Sequence, residues 1–401
     1  MGLFSFFSNK ENNKQNQSFN TLPIKSDDSF LASFNRHWGG LTNPEYDLSS
    51  PYVDNVKRGY RYIKFGEDNL YPYHLINMYN SSAMHSSCIK FITDILLSSN
   101  LNFISSNLKT KSLEDKIRIE NIKNIFDDDF LERFIQEFLI HGRVCFIVKG
   151  KEEGKGFRVS NLKLVGAEKV RVAANNEGFY VSEDWQLGLK DSFKEKFDKL
   201  NPKDGAMICL QKLGPGQNYY PVPQYTSAAN WIFLDKEIAY FQKQNIINSV
   251  NPSAVLTLFE KFHNPEEKQK FIDNLKYNLS SAKNGGKILI LNAKDRESAP
   301  EFEMLDANKL DESFAAVNES IVENIARAHQ ISPVVMGIST AGKLGSTSEI
   351  QDAFNIFYNG KLSRLNKLIN KQLNELIDLF DSNITVNLPQ NNPFNNNTKN
   401  T

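Results

Sequence analysis

The stretch "VVMGISTAGKLGS", residues 334–346, lies between two long runs of helical periodicity and can be read in three ways. Gly337 to Lys343 spell G-x-x-x-x-G-K, the start of a phosphate-binding loop. Gly337, Ser339 and Ala341 approach the turn that exposes a hydrolase nucleophile. The third reading is a mobile, glycine-rich connector between two rigid helices. The phosphate loop lacks its metal ligand, because Leu344 stands where Ser or Thr must hold Mg²⁺. The segment before it, "SPVVM", is too short and proline-interrupted for a central parallel strand, and the only downstream strand, "NITVNL", does not end in the Asp of a Walker B segment. A hydrolase turn needs a His later in the chain, and none follows His329. The expectation is therefore a connector with no catalytic residue. The alternative is a nucleotide-binding or hydrolytic enzyme using residues 337–343.

Working outward, residues 311–329 place Phe314, Val317, Ile321 and Ile325 on one helical line. After the loop, Ser346-Thr347-Ser348-Glu349 spells a capping box. It opens a helix whose apolar ladder runs from Ile350 through Phe354, Phe357, Leu365 and Leu373 to Phe380. Lys361, Arg364, Lys367 and Lys371 recur at spacings of three and four, so they form one basic stripe that is solvated, DNA-facing or subunit-facing. Asp311, Glu312, Glu319 and Glu323 make an acidic counterpart on the preceding helix.

Farther upstream, Tyr71-Pro72 suits a helix start, Ser81-Ser82 divides two helices, and a third follows Asp127-Asp128-Asp129 and stops at Gly142. The three acids suit the N-terminus of that helix. "RVCFIV", "FRVSNLKLV", "KVRVAA" and "GFYVSEDW" read as strands, so residues 46–225 form an α+β body. After the proline-marked boundary "GQNYYPVPQ" comes a long helix, residues 226–249, with Trp231, Leu234, Ile238 and Phe241 as its stripe. A small α/β insert follows over 250–307: a strand, a helix over 266–279, the turn Asn284-Gly285-Gly286 and the strand "KILIL". The segment 1–45 reads as a flexible arm, 347–385 as the long last helix, and 386–401 as a disordered Asn-rich tail.

Lys+Arg and Asp+Glu both total 47, so no global charge announces nucleic acid or membrane as partner. No apolar run approaches the roughly 20 residues of a membrane span. Cys88, Cys145 and Cys209 are sparse and odd in number, which does not suggest a disulfide framework and favours a reducing compartment. The pairs His85-x-x-Cys88 and His141-x-x-x-Cys145 together offer Cys₂His₂. Cys88 aligns with an apolar helical stripe, however, and Cys145 sits inside a strand, so buried thiols are expected and no metal or cofactor.

The order of these elements resembles a known family. "NLYPYHLINMYNSSAMHSSCIKFITDIL", with its Asn69-Leu70-Tyr71-Pro72 start, is similar to the N-terminal signature of tailed-phage portal proteins. "IARAHQISPVVMGIST" resembles that family's helix–proline–loop passage, and "EIQDAFNIFYNGKLSRLNKLINKQLNELI" its following helix. The likeness spreads over most of residues 65–380. Departures are a single proline, Pro333, where two are common, and a short Asn-rich C-terminus that leaves little room for a large crown.

The resemblance implies a portal-like α+β fold: an α/β wing over 46–225, stem helices at 226–249 and 308–330, and a clip insert at 250–307. It implies a tunnel loop at 331–346, with Ser339, Thr340, Lys343 and Leu344 facing a DNA channel, and the final helix 347–385 in wing or crown. It implies a dodecameric homo-oligomeric ring at one capsid vertex, assembled in the host cytoplasm and carried in the virion. Double-stranded DNA would pass without sequence readout, and the partners would be the terminase large subunit, head–tail adaptors, and major capsid and scaffold proteins. Near-neutral charge suits a channel that holds DNA without gripping it, since each phosphate contact adds salt-sensitive affinity.

Overall fold

The computed structural model describes residues 61–105, 113–153, 156–248, 254–258, 264–279, 288–292, 307–338, 346–390 and 392–394. Residues 1–45, expected as an arm, lie outside these, and the described residues all fall in one compact unit spanning 47–401.

The chain is described from a short extended stretch that leads into two helices, α1 (Tyr71–Ser81) and α2 (Ala83–Leu96). The expected division at Ser81-Ser82 has a local cause. Ser82 is in extended conformation and its hydroxyl accepts the amide of His85, so it caps α2 instead of continuing α1. After β1 (Asn102–Ser105) and α3 (Leu113–Ile125) comes α4 (Asp128–His141). Asp127 caps α4 by accepting the amide of Phe130, and Gly142 ends it in the left-handed region at φ 71°. A Cβ there would meet the Pro221 ring at 3.0 Å, so both backbone and space call for glycine.

The apolar face of α4 (Leu131, Phe134, Ile135 and Phe138) is buried, and the helix packs on β2 (Arg143–Glu153). Phe146 of β2 stacks with Phe130 and Phe134 at 5.7 and 6.1 Å between ring centroids. Strand β2 is the centre of an antiparallel sheet, flanked by β3 (Gly156–Val165) and β7 (Met207–Gln211). A second antiparallel sheet holds β4 (Val170–Val172), β5 (Gly178–Ser182) and β6 (Asp191–Glu195) in that order. Helix α3 and strands β1, β6 and β7 were not anticipated from sequence; α3 has little amphipathic pattern, and β1 and β6 are only four or five residues long.

The expectation of unpaired cysteines is overturned. Cys145 of β2 and Cys209 of β7 are in register on adjacent antiparallel strands, with Cα atoms 4.2 Å apart, and form a disulfide. Their separation of 64 residues hides this in the sequence. Cys88 is free and buried, and that burial pushes its thiol up to about 12.

Two buried arginines join the sheets to the helices. Arg143 donates from one Nη to the carbonyls of Ala167 and Val170, both at 2.6 Å, and its guanidinium lies over the rings of Phe65 and Tyr220. Arg171 donates to the backbone carbonyl and side-chain oxygen of Asn69 and to the carbonyl of Glu168, and faces the Trp185 ring. Tyr220 completes the joint by donating to the carbonyl of Ile63 and accepting the amide of Val172.

A 3₁₀ turn (Gln224–Ala228) leads into α5 (Ala229–Asn248). The expected stripe of this helix is not a buried face: Ile232 is buried, while Phe233, Tyr240 and Phe241 are exposed. Next come β8 (Ala254–Leu258), α6 (Pro265–Leu279) and β9 (Ile288–Asn292), with β8 and β9 parallel as a strand–helix–strand unit requires. The expected turn at 284–286 lies outside the described residues. Helix α7 (Ala307–His329) then packs along α5.

The last helical stretch is α8 (Thr347–Phe357), one π-helical turn (Tyr358–Leu362) and α9 (Ser363–Ile377), together about 46 Å long. The helix expected over 347–385 therefore ends at Ile377. The chain turns and forms β10 (Ile384–Asn387), which pairs antiparallel with β1. Asn370 and Asn374 hold β10 in place. Asn374 both donates to and accepts from the backbone of Val386 at 2.8 Å, and Asn370 accepts the amide of Leu388 at 2.7 Å. Their side-chain amides act as a strand edge on the helix. The expected tail is thus packed at its start: Leu388 is buried, and Asn392 bonds Asn355.

Helices α2, α5 and α7 converge on buried polar contacts. Asp235 of α5 accepts from the Ser82 hydroxyl at 2.6 Å at the N-terminus of α2. His85 Nδ1 and His329 Nε2 are 2.9 Å apart, both rings against Tyr225. Burial pushes both imidazoles down, His329 to about 3 with the Lys361 charge adding to the effect.

Two outcomes follow. Replacing Arg143 by Met removes its two buried bonds to the Ala167 and Val170 carbonyls and its contacts with the Phe65 and Tyr220 rings, and urea denaturation should show a loss of about 3 kcal/mol. For His329, a folded value near 3 against 6.5 means the unfolded chain binds the proton first. Its contribution is constant above pH 6.5 and lost progressively as pH falls toward 3, at about 1.4 kcal/mol per pH unit. Glu137, raised by burial to about 7, runs the opposite way, losing stability as pH rises from 4.5 through 7. A His329→Gln variant isolates the first effect: its stability should fall less steeply than the parent's below pH 6.5.

Candidate functional site

Helix α7 ends by bonding Ile331 N–H to the Ala326 carbonyl, with Gln330 in the left-handed region at φ 59°. That is a Schellman closure made without glycine. Ser332 is extended, Pro333–Met336 forms a 3₁₀ turn, and Gly337 reverses the chain at φ 76°. The chain resumes at Ser346, whose hydroxyl accepts the Glu349 amide and caps α8. Ser339, Thr340, Lys343 and Leu344 lie outside the described residues. What is described argues against the phosphate loop, because a 3₁₀ turn stands where a strand must feed such a loop.

The basic stripe does not stay together. The π-helical turn adds a residue to the helical cycle at Gly360, which changes the angular spacing around Lys361. Lys361 reaches Gln224 Oε1 at 2.7 Å and is half-buried. Lys367 and Lys371 lie on the exposed side, Lys371 within 3.9 Å of Glu375. Lys361 and Arg364 instead line a cleft of about 640 Å³ with Lys212, which sequence reasoning missed. Nothing in the sequence pointed to Lys212, since only the fold brings it beside the π turn. Burial pushes Lys361 down to about 8, and the charges of Lys212 and Arg364 add to it. Of the acidic counterpart, Glu319 is exposed, Glu323 lies 3.8 Å from Arg327, and the side chains of Asp311 and Glu312 are outside the described residues.

The His/Cys set does not converge on a metal. His85 pairs with His329, Cys88 contacts the Met336 sulfur at 3.8 Å, and Cys145 is bonded to Cys209. A different trio, Glu137, His141 and Glu168, brings three ligand atoms within 4.8 Å of one another. Burial holds the Glu137 carboxyl up to about 7, and the buried guanidiniums of Arg143 and Arg171 share this region. A divalent cation would add its charge to those two buried cations, so the trio is a poor metal site.

Comparison with known proteins agrees with this architecture. No curated protein sequence matches the chain. Among solved structures it is similar to a chain in the virion of a native gene transfer agent particle, at 15% identity and a TM-score of 0.53. That similarity covers 79% of this chain and 83% of the other. A chain from the neck of the native particle, computed with C12 symmetry, is similar at 14% identity and a TM-score of 0.52, again covering 79% and 83%. At these identities the likeness establishes the fold. The profile described as "Phage portal protein" matches residues 87–392, well over half of the chain. With α5 and α7 side by side, a strand–helix–strand insert between them and a glycine-bearing connector before the long kinked helix, the chain belongs to the phage portal protein family, a structural family that forms the portal of a capsid.

Proposed function

We propose that copies of this chain close into a ring at one vertex of a capsid and that double-stranded DNA passes through its centre. The observation that carries this reading is the family match together with the packed α5–α7 pair, a stem from which the 250–307 insert and the 331–346 connector depart. In this reading residues 46–225 are the wing, 226–249 and 308–330 the stem, and 250–307 the clip that meets the packaging motor and later the head–tail adaptors. The particle neck computed with C12 symmetry supports a closed ring, with twelve copies the expected number. The exposed Phe233 and Tyr240 on α5 are surfaces that such a ring would cover.

The connector 331–346 is proposed to face the channel. Its Gly, Ser, Thr and Ala side chains touch a moving duplex lightly, and Lys343 is its one charged group. Uniform weak contact suits sliding, and no base-reading element is needed. The chain is proposed to act without chemistry of its own, in the virion.

Negative-stain imaging and mass measurement of the purified chain should show a ring with a central hole; a persistent monomer under all assembly conditions counts against the reading. Deleting residues 338–345 should leave the ring intact and impair DNA packaging or retention. Loss of folding would instead make the connector a core element. Calorimetry should detect no ATP binding, and an affinity abolished by Lys343→Ala would revive the enzyme alternative.

A further inference from the structure

The cleft beside the π-helical turn carries three cations and, among the described residues that line it, no carboxylate. Lys212 comes from the segment after β7, Lys361 from the π turn itself, and Arg364 from the first turn of α9. Lys212 and Arg364 are exposed and have no acidic partner among the described residues, while Lys361 is held by Gln224. Like charges gathered this closely repel one another unless an anion sits between them. The walls mix apolar residues with Gln224, His329, Gln330 and Asn359, and Ile356 stands at the lip with 76% of its surface in solvent. A lone phosphate has no use for such a lip; an occupant with both carboxylates and apolar side chains does.

The α5–α7 pair carries exposed residues of both kinds. The packed α5–α7 pair presents Glu319 and Glu323, one helical turn apart on α7. It also presents Phe233 and Tyr240 exposed on α5. Neither acid lines the cleft, although Ala328 and His329 at the end of the same helix do, and Glu323 lies 3.8 Å from Arg327. Two complementary patches that are not paired with each other in one copy can join one copy to the next head to tail. We propose that the Lys212–Lys361–Arg364 cleft of each copy receives the Glu319–Glu323 face of the next, an ionic seam that sets register and direction around the ring. This rests on the ring reading above. Several charges act together here, so the seam differs from an isolated surface pair, and it is sensitive to salt.

The test is a charge swap read by mass photometry and sedimentation. One full-length variant carries Lys212→Glu and Arg364→Glu, the other Glu319→Lys and Glu323→Lys. All four positions are exposed, and unchanged melting temperatures verify the folds. Each variant alone should need about tenfold or more protein to form rings, because cleft and helix then carry like charge. Mixed in equal amounts, the two should recover rings of alternating composition. Raising salt from about 50 to about 500 mM should weaken the parent ring in the same direction. Rings that form normally from either variant overturn the seam and leave the ring reading intact. Rings lost in both variants and not recovered on mixing overturn it as well. Variants that keep their rings but lose binding to a DNA duplex assign the cleft to phosphates and overturn it. A parent chain that never forms a ring overturns the ring reading and the seam together.

Discussion

Two guanidinium groups buried among carbonyls and aromatic rings set the constraint on which the α+β body depends. Arg143 and Arg171 are both fully buried, and a charge without water must be met by fixed partners. Arg143 meets the carbonyls of Ala167 and Val170, and Arg171 meets Asn69 and Glu168. Each bond fixes one segment to another: β2 to the start of β4, and β4 to the loop before α1. Glu168, in the turn after β3, brings a charge of opposite sign toward Arg143. The two antiparallel sheets could slide on an apolar interface. They cannot do so here without leaving a charge unsatisfied, and the helices that lead toward α5 and α7 inherit that rigidity.

The buried contacts of the body stop sharply at the end of α7. Around His85, His329, Tyr225 and Asp235 the body is closed by short, directional, buried contacts. Immediately beyond His329, helical order gives way to a left-handed Gln330, a 3₁₀ turn and Gly337. The closed end of α7 and the capped start of α8 bracket this connector. The π-helical turn places Lys361 off the line of the later basic residues, which divides one linear stripe into a cleft and a solvated face.

Much of the fold was legible in the sequence because it rests on local signals. Ser82, Asp127, Gly142 and Ser346 cap or end helices through bonds made within a few residues, and capping depends on residue type at fixed spacing. The insert's strand–helix–strand order followed from a change of hydrophobic period. Helix α3 and strand β6 were missed because they have weak patterning or short length, and α5 misled because Ile232, off the expected stripe, is the buried one while Phe241 of that stripe is exposed. The candidate site was legible only in part: the connector was found from its glycines, while Lys212 lay far from any basic run.

By itself the sequence determined the capped helix starts at Ser82, Asp127 and Ser346, the helix stop at Gly142, the glycine-bearing connector and the balance of charge; the caps follow from neighbours within a turn or two. Tertiary structure alone decided four things. These are the Cys145–Cys209 bond, the return of β10 to β1 along the Asn370–Asn374 edge, the His85–His329 contact, and the meeting of Lys212 with Lys361 and Arg364. In each case the partners are separated by a stretch of chain whose path depends on the whole core. A pairing of that kind leaves no periodicity or spacing to read, because the free energy that selects it comes from burial shared among many residues.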